Sequence, residues 1–246
     1  RTGQLLKHLG IGHRPFVVVN DHTERDSVER VIDAAQRGER VALVSDAGMP
    51  AISDPGYVLV RAAIVAGVDV EVIPGPSAVL SALVLSGLAT DRFAFDGFLP
   101  RKGGERNRRL AEVAVERRTV VLYEAPHRVE RTLVDLAGVC GGERQIALAR
   151  ELTKLYEEVW RGSIAEALEH VAVREPRGEY VIVVDGAPEV AVGADDIETA
   201  LRAAIEAGAS KKDAAAEVSK RLGLRKRDLY DRALSLDVES GAPAAR

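Results

Sequence analysis

The sequence predicts an α/β protein with two α/β domains and a small helical extension at its carboxyl end. Short apolar runs with strand character alternate with helical segments, which favours sheets that are covered by helices. The composition changes between Leu88 and Leu110, and a Pro/Gly/Ala linker follows Ala187. We therefore expect three parts, residues 1–90, 91–188 and 194–236.

The bulk composition limits the function classes. A chain of 246 residues, 46% of them hydrophobic, can bury one large core or two medium ones. The net charge of −4 gives no global nucleic-acid signature, so any RNA affinity must come from local basic patches. A single cysteine, Cys140, excludes a disulfide framework and a thiolate zinc site. Because no apolar run of about 18 residues is present, we expect a soluble, cytoplasmic protein with no metal and no membrane partner.

Helical and strand-like segments alternate in the first half. Residues 1–10 have helical spacing, and a second helix is capped by Asp26 or Ser27 and ends at Gly38. The predicted strands are residues 16–20, 41–44 and 68–73. This order predicts a mainly parallel sheet with helices on both faces.

Residues 41–56, VALVSDAGMPAISDPG, form the first candidate ligand site. A strand-like run leads into a loop of small residues, acids and prolines. A helix start is expected at Ser53, Asp54 and Pro55, because Ser or Asp caps free amide groups and Pro fits the first turn. Such a helix amino terminus directs unpaired N–H groups at a crevice, which is where open α/β sheets bind ligands. For one such loop, an ordinary βα turn is the alternative.

A second loop of the same kind strengthens this interpretation. PGPSA, residues 74–78, follows the next predicted strand and leads into an apolar helix through Leu88. Two successive strand ends therefore deliver a tight loop and a capped helix to the same edge of the sheet.

Five basic residues stand within residues 100–109, directly after a segment that holds three of the four phenylalanines. They are Arg101, Lys102, Arg106, Arg108 and Arg109. Clustered Lys and Arg on a flexible loop favour contact with a phosphate backbone. The alternative is a solvated linker.

Charged residues also gather at strand ends in the second half. A strand over residues 119–123 leads into EAPHR, and a strand over residues 145–149 leads into RELTK. Ser163 caps a helix over residues 164–171, and residues 178–184 are typical of a strand in an antiparallel arrangement. In the extension, a capping-box pattern at Ser210 and a later basic helix outline a helix-turn-helix. A small helical bundle that binds nothing is the alternative there.

Six motifs in order carry a family resemblance: SDAGMPAISDPG, PGPSA, DRFAFDGFLPRK, YEAPHR, ARELTK and GEYVIVV. In this order and spacing they resemble the ribosomal RNA small subunit methyltransferase I family, which belongs to the tetrapyrrole methylase superfamily. That family begins with a strand and a TPIGNL-type loop that form one wall of the cofactor site, and this sequence starts after them. We therefore expect this sequence to be a piece of a longer chain. Without the preceding segment, the first sheet lacks a central strand. Met49 stands where the family usually has threonine.

The resemblance implies a class III methyltransferase, in which two α/β domains hold S-adenosylmethionine in the cleft between them. It also implies a homodimer and 2′-O-methylation of a cytidine ribose in small-subunit (16S) ribosomal RNA, free or in the 30S subunit. The cofactor contacts that it implies are Asp46, Ala47, Gly48, Met49, Pro50, Ile52, Ser77, Ala78, Glu124 and Leu152.

Methyl transfer to a ribose hydroxyl is an in-line displacement that a general base assists. We predict that Glu151 or a neutralised Lys154 is that base, and that Arg128 and Arg150 orient phosphate or ribose. A structural ion pair is the alternative for each. The rival functions are a tetrapyrrole or diphthine-type methyltransferase of the same superfamily and a non-catalytic RNA-binding ribosome-assembly factor.

Overall fold

The computed structural model describes residues 1–20, 23–45, 48–174, 176–188, 194–222 and 224–236. Contacts within the chain divide it into two compact units, Arg1–Ala187 and Pro188–Arg246, which we call unit 1 and unit 2. Asp46 and Ala47, two of the expected cofactor contacts, lie outside the described residues.

Unit 1 contains a five-stranded mixed sheet. Its strands are β1 (Phe93–Phe98), β2 (Thr119–Glu124), β3 (Gln145–Arg150), β4 (Glu158–Ser163) and β5 (Tyr180–Val184). The order across the sheet is β1-β2-β5-β3-β4. β1 and β2 run parallel, whereas the other neighbours run antiparallel, which confirms the arrangement predicted for residues 178–184.

Helices cover both faces of this sheet. Those of unit 1 are α1 (Thr2–His8), α2 (Glu24–Gln36), α3 (Tyr57–Val65), α4 (Ala78–Ser86), α5 (Gly103–Val115), α6 (Val129–Cys140) and α7 (Ile164–Val173). Leu110, Leu133 and Ile164 of α5, α6 and α7 enter the core on one face. Val79 and Leu83 of α4 enter the core on the other face, so the α/β class is confirmed.

The cap predicted at Ser163 is present. Its hydroxyl accepts a hydrogen bond from the Glu166 N–H at 3.2 Å, and the Glu166 carboxylate accepts one from the Ser163 N–H at 2.7 Å. This reciprocal capping box fixes the start of α7. None of the helices in the described ranges has the length and apolar character needed to cross a lipid bilayer.

The three strands predicted in the first half are not formed within the described residues, so the mainly parallel sheet expected there is wrong for this structure. Residues 16–20, 41–44 and 68–73 have no assigned secondary structure, although helices follow them. Their apolar side chains are largely exposed, for example Val72 at 68% and Ile73 at 82%. A strand is stable only when its N–H and C=O groups pair with a neighbouring strand, and an apolar pattern alone does not supply that partner.

The described residues of unit 2 form a three-helix bundle of α8 (Ala194–Glu206), α9 (Lys211–Leu222) and α10 (Lys226–Ser235). Leu201, Val218 and Leu229 form its buried core. Ser210 accepts a hydrogen bond from the Asp213 N–H at 3.2 Å, which confirms the predicted cap of α9. The Lys211 ammonium donates to carbonyl oxygens at the end of α10, so the helices are also joined by a polar contact.

Candidate functional site

Strand ends that the sequence singled out lie together at one end of the sheet. The register pairs there are Phe98 with Tyr123, Glu124 with Tyr180, Arg150 with Tyr180, and Arg150 with Glu158. The EAPHR and RELTK segments therefore leave the sheet at the same end, with β5 between the two strands that they follow. We call this end of the sheet the site end.

The two predicted ligand bends are neighbours. Gly48 has a φ of 113°, a backbone conformation that only glycine adopts readily. A Cβ atom built on Gly48 would lie 3.5 Å from the carbonyl oxygen of Pro76. The bend at residues 48–50 therefore lies next to the PGPSA bend, as the sequence predicted.

The first bend also rests on the site end of β1. The Ser53 hydroxyl oxygen lies 2.8 Å from the position that a Cβ atom on Gly97 would take. Ser53 and Ala51 have φ values of 54° and 67°, in the left-handed region, which costs about 1–2 kcal/mol for each such residue. Backbone held in this region is typical of ligand sites, where the surrounding structure fixes it.

The amino terminus of α3 is capped by Glu24, so our prediction of a cap by Ser53 or Asp54 is wrong. One carboxylate oxygen of Glu24, Oε1, accepts hydrogen bonds from the N–H groups of Gly56 at 2.9 Å, Val58 at 2.8 Å and Leu59 at 3.1 Å. The Asp54 carboxylate instead accepts a hydrogen bond from the Ser45 hydroxyl. Three of the N–H groups at the start of α3 are therefore satisfied from within the protein, and these three are not directed at a ligand.

The amino terminus of α4 is at the site end. Ser77 caps it, because its hydroxyl accepts a hydrogen bond from the Leu80 N–H at 3.4 Å. The phenol of Tyr123, at the end of β2, lies beside the backbone of Val79. Burial raises the pKa of Tyr123, and the carboxylates of Glu179 and Asp54 add to this rise. Ala78 and Leu152, two expected cofactor contacts, pack against the same core as Val79.

Glu124 is buried in a polar network. Its carboxylate accepts a hydrogen bond from the Thr132 hydroxyl at 2.6 Å and pairs with the Arg128 Nε at 3.1 Å. The same hydroxyl accepts a hydrogen bond from Arg106 Nη2 at 3.0 Å. Arg106 also donates to Asp135 at 2.8 Å and to the Pro100 carbonyl at 3.0 Å. Both Glu124 oxygens therefore have protein partners, which does not favour a direct cofactor contact.

The predicted RNA-binding residues differ in exposure. Arg101, Lys102 and Arg108 are exposed. The Arg106 side chain is only 3% exposed, so it cannot reach RNA, and our prediction for this residue is not supported. Arg109 pairs with Glu112 at 2.9 Å. Sequence pattern could not separate these five residues, because burial of one arginine on an amphipathic helix depends on its tertiary partners.

The expected general bases form an ion pair. The Lys154 ammonium lies 2.9 Å from Glu151 Oε1, which also accepts a hydrogen bond from the Glu179 N–H at 3.3 Å. The hydrogen bond from Lys154 lowers the pKa of Glu151, although burial opposes it. Glu151 has a φ of 49° and Thr153 one of 64°, so this loop, like the first bend, holds left-handed backbone.

Arg150 is fixed by Glu158 at the neighbouring strand end. Its Nε donates to Glu158 Oε2 at 2.8 Å. Arg174 Nη1 lies 3.1 Å from Glu158 Oε1, and His170 Nε2 lies 3.5 Å from the same oxygen. Sequence reasoning named neither Glu158 nor Glu24, because each acts through partners that are distant in sequence or on another element.

A depression on unit 1 lies at the opposite end of the sheet. It has a volume of about 710 Å³ and is lined by residues that include Arg92, Glu116 and Thr119. Hydrogen bonds from Arg118 lower the pKa of Glu116 to about 2, so these two charges of the depression are already paired with each other. The depression shares no residue with the predicted site, whose strained bends and small residues fit a ligand better.

Comparisons with known proteins agree with this geometry. The family model described as "Tetrapyrrole (Corrin/Porphyrin) Methylases" matches residues 7–168, and "RsmI C-terminal HTH domain" matches residues 191–237. Solved structures of similar fold include diphthine synthase, with a TM-score of 0.56 and 17% identity over 75% of this chain and 73% of that one. The methyltransferase CobJ has a TM-score of 0.52 and 24% identity over 67% of this chain and 72% of that one.

Relatives of known name are closer in sequence. The Ribosomal RNA small subunit methyltransferase I of Mycobacterium tuberculosis is 47% identical, over 99% of this chain and 86% of the relative. Its namesake from a Synechocystis species is 40% identical over 97% of this chain and 86% of the relative. Membership of one family thus explains the two neighbouring bends, the strand ends beside them and the helical extension. The chain belongs to the tetrapyrrole methylase family, and within it to the group of ribosomal RNA small subunit methyltransferase I.

Proposed function

We propose that this chain transfers a methyl group from S-adenosylmethionine to small-subunit ribosomal RNA, and that the acceptor is the 2′-hydroxyl of a cytidine ribose. The close approach of Gly48 to the Pro76 carbonyl carries the cofactor part of this proposal, because it shows that both small-residue bends lie in one place. The names of the relatives carry the RNA part.

The residues at the site end fit S-adenosylmethionine. Backbone amides and carbonyls can reach a ligand where glycine and alanine leave them uncovered, as at Gly48 and Ala78. The carboxylates of Glu151, Glu179 and Asp54 belong to segments at this end, which favours a ligand with a positive sulfonium. The residues that would hold the cofactor are Gly48, Met49, Pro50, Ile52, Ser77, Ala78 and Leu152. When bound, the cofactor supplies the methyl group on a good leaving group.

The RNA would approach over the exposed basic residues. Arg101 and Lys102 lie between α5 and β1, whose last residue is at the site end, and Arg108 lies within α5. Arg128 is paired with Glu124, and Arg150 is paired with Glu158. Each arginine would therefore orient RNA only with the N–H groups that its ion pair leaves over. The domain boundary near residue 90, the homodimer and the cytoplasmic location rest on the sequence, and they remain part of the proposal.

Within this proposal, Glu151 is the proton acceptor and Lys154 holds it in place. A carboxylate with a lowered pKa is ionised at neutral pH and can accept a proton, but it is a weak base. We therefore assign most of the rate to alignment of oxygen, methyl and sulfur by the two bends. Should Lys154 lose its proton, it could take the same part.

Methyl transfer from labelled S-adenosylmethionine to small-subunit rRNA, assembled 30S subunits and a tetrapyrrole tests the function. We expect label in an RNA substrate, at a ribose that resists alkaline cleavage, and none in the tetrapyrrole. Glu151→Gln and Lys154→Met should each lower kcat, by about 10²-fold or more for the residue that accepts the proton. Glu143→Gln is the matched control, because Glu143 is exposed and precedes β3 at the opposite end of the sheet.

Each result in this assay has a defined meaning. Label in the tetrapyrrole alone would refute the RNA substrate, and cofactor binding without transfer to any substrate would favour an assembly factor. If neither Glu151→Gln nor Lys154→Met slows the transfer, the role of the ion pair in proton transfer is wrong, although the methyltransferase function would stand.

A further inference from the structure

Phe98, the last residue of β1, is a large aromatic side chain left half exposed at the site end. Its exposed fraction is 52%. Its ring centroid lies 5.5 Å from that of Tyr123, and Tyr123 in turn lies 5.1 Å from Phe95. One side of the Phe98 ring is therefore supported by an aromatic cluster, while another part remains open to solvent.

An irregularity in β1 places Phe98 on this face of the sheet. The register to β2 shifts between Phe95 and Gly97, so that Phe98 pairs with Tyr123. Side chains of a strand alternate between the two faces, and one extra residue reverses that alternation. Phe95 and Phe98 consequently lie on the same face of the sheet, although they are three positions apart. This is the face that α4 covers. Bulges that re-aim one side chain are frequent next to active sites.

The surroundings of Phe98 combine ligand bends with positive charge. The adjacent Gly97 lies under Ser53 of the first bend. The exposed Arg101 and Lys102 follow Phe98 closely in the chain. The carbonyl of Leu99 accepts a hydrogen bond from Arg128 Nη2 at 2.6 Å, and Arg106 holds the Pro100 carbonyl, so the backbone between Phe98 and the cations is fixed.

We propose that Phe98 is a stacking platform for an unpaired base of the RNA substrate, beside the position of methyl transfer. The inference rests on the proposed function and adds a specificity-determining residue to it. Proteins that read RNA in single-stranded form stack its bases on exposed aromatic rings while Lys and Arg hold the phosphates. The Phe98 ring with Arg101 and Lys102 supplies both parts on one fixed segment.

Three substitutions test this inference in the methylation assay. Phe98→Leu keeps an apolar side chain but removes the aromatic face, so we expect KM for RNA to rise about tenfold. Phe98→Tyr keeps the face and should restore KM to within about twofold of the original chain. Val115→Ala is the control, because Val115 is 74% exposed but lines the depression at the far end of the sheet. Calorimetry with S-adenosylhomocysteine should give the same affinity for all of them.

A fluorescent probe reads the stacking itself. An RNA fragment with 2-aminopurine next to the acceptor nucleotide should lose fluorescence on the original chain and on Phe98→Tyr, and keep more of it on Phe98→Leu. Equal KM and equal quenching for Phe98→Leu and the original chain would overturn the inference while the methyltransferase function stands. If Phe98→Leu lost affinity for S-adenosylhomocysteine by the same factor as its KM for RNA rose, Phe98 would have a structural role instead. If the original chain neither methylates RNA nor binds it, the proposed function fails, and the inference fails with it.

Discussion

Replacing Arg106 by methionine should lower the free energy of unfolding by about 3–5 kcal/mol, the loss expected when one partner of a buried charged network is removed. Arg106 donates hydrogen bonds to Asp135, Thr132 and the Pro100 carbonyl, and its side chain is 3% exposed. Methionine fills much of the volume but leaves these acceptors without a donor. Urea unfolding followed by circular dichroism measures the change.

Arg101→Met is the matched control for this prediction. Arg101 is exposed, so the substitution should change stability by no more than about 0.5 kcal/mol. It should instead weaken RNA binding and reduce its salt dependence, since one phosphate contact is lost. If Arg106→Met were as stable as the original chain and lost RNA affinity like Arg101→Met, the structural role of Arg106 would be wrong and the role first expected from sequence would return.

Replacing Glu24 by alanine should lower the free energy of unfolding by about 2–3 kcal/mol, because hydrogen bonds to a charged group are worth more than neutral ones and three N–H groups lose their acceptor. Glu24 also holds the start of α3, which directly follows the bend with left-handed Ala51 and Ser53. We therefore expect a fall in S-adenosylmethionine affinity that exceeds the effect of a distant variant of equal stability. Urea unfolding and calorimetry measure the two effects.

Glu29→Ala on the same helix serves as the control, since Glu29 is exposed. Glu24→Gln keeps an oxygen acceptor and should recover part of both losses. Cofactor affinity should be measured at a temperature where Glu24→Ala is folded. If it is unchanged there, the cap of α3 does not support the ligand site.

Short-range patterns in the sequence predicted several of the helices and the last strand. However, α2 begins at Glu24, before the expected cap at Asp26 or Ser27, and α5 begins at Gly103, where a flexible loop was expected. Ser163 and Ser210 cap the helices that their motifs indicated, because a capping box is complete within four residues. The neighbouring positions of Gly48 and Pro76 were also predicted, although the two strands on which that prediction rested are not formed. Local chemistry and family resemblance agreed at these positions.

Contacts between residues that are distant in the chain could not be predicted from the sequence. Residues 16–20, 41–44 and 68–73 have the apolar composition of strands, but pairing depends on a neighbour that composition does not show. Arg106 looks like its exposed neighbours in the sequence, and only Thr132 and Asp135 of α6 make it a buried residue. Glu24 caps a helix that begins 33 positions later in the chain, and no local motif reveals that relation.

Amide hydrogen exchange with and without S-adenosylhomocysteine tests the central claim most directly, namely that the two neighbouring bends and the RELTK loop hold the cofactor. The account predicts slower exchange at residues 48–53, 77–80 and 151–154, with little change at residues 89–92 and 116–119 around the far depression. Protection confined to the far depression, or no protection at either place, would contradict it.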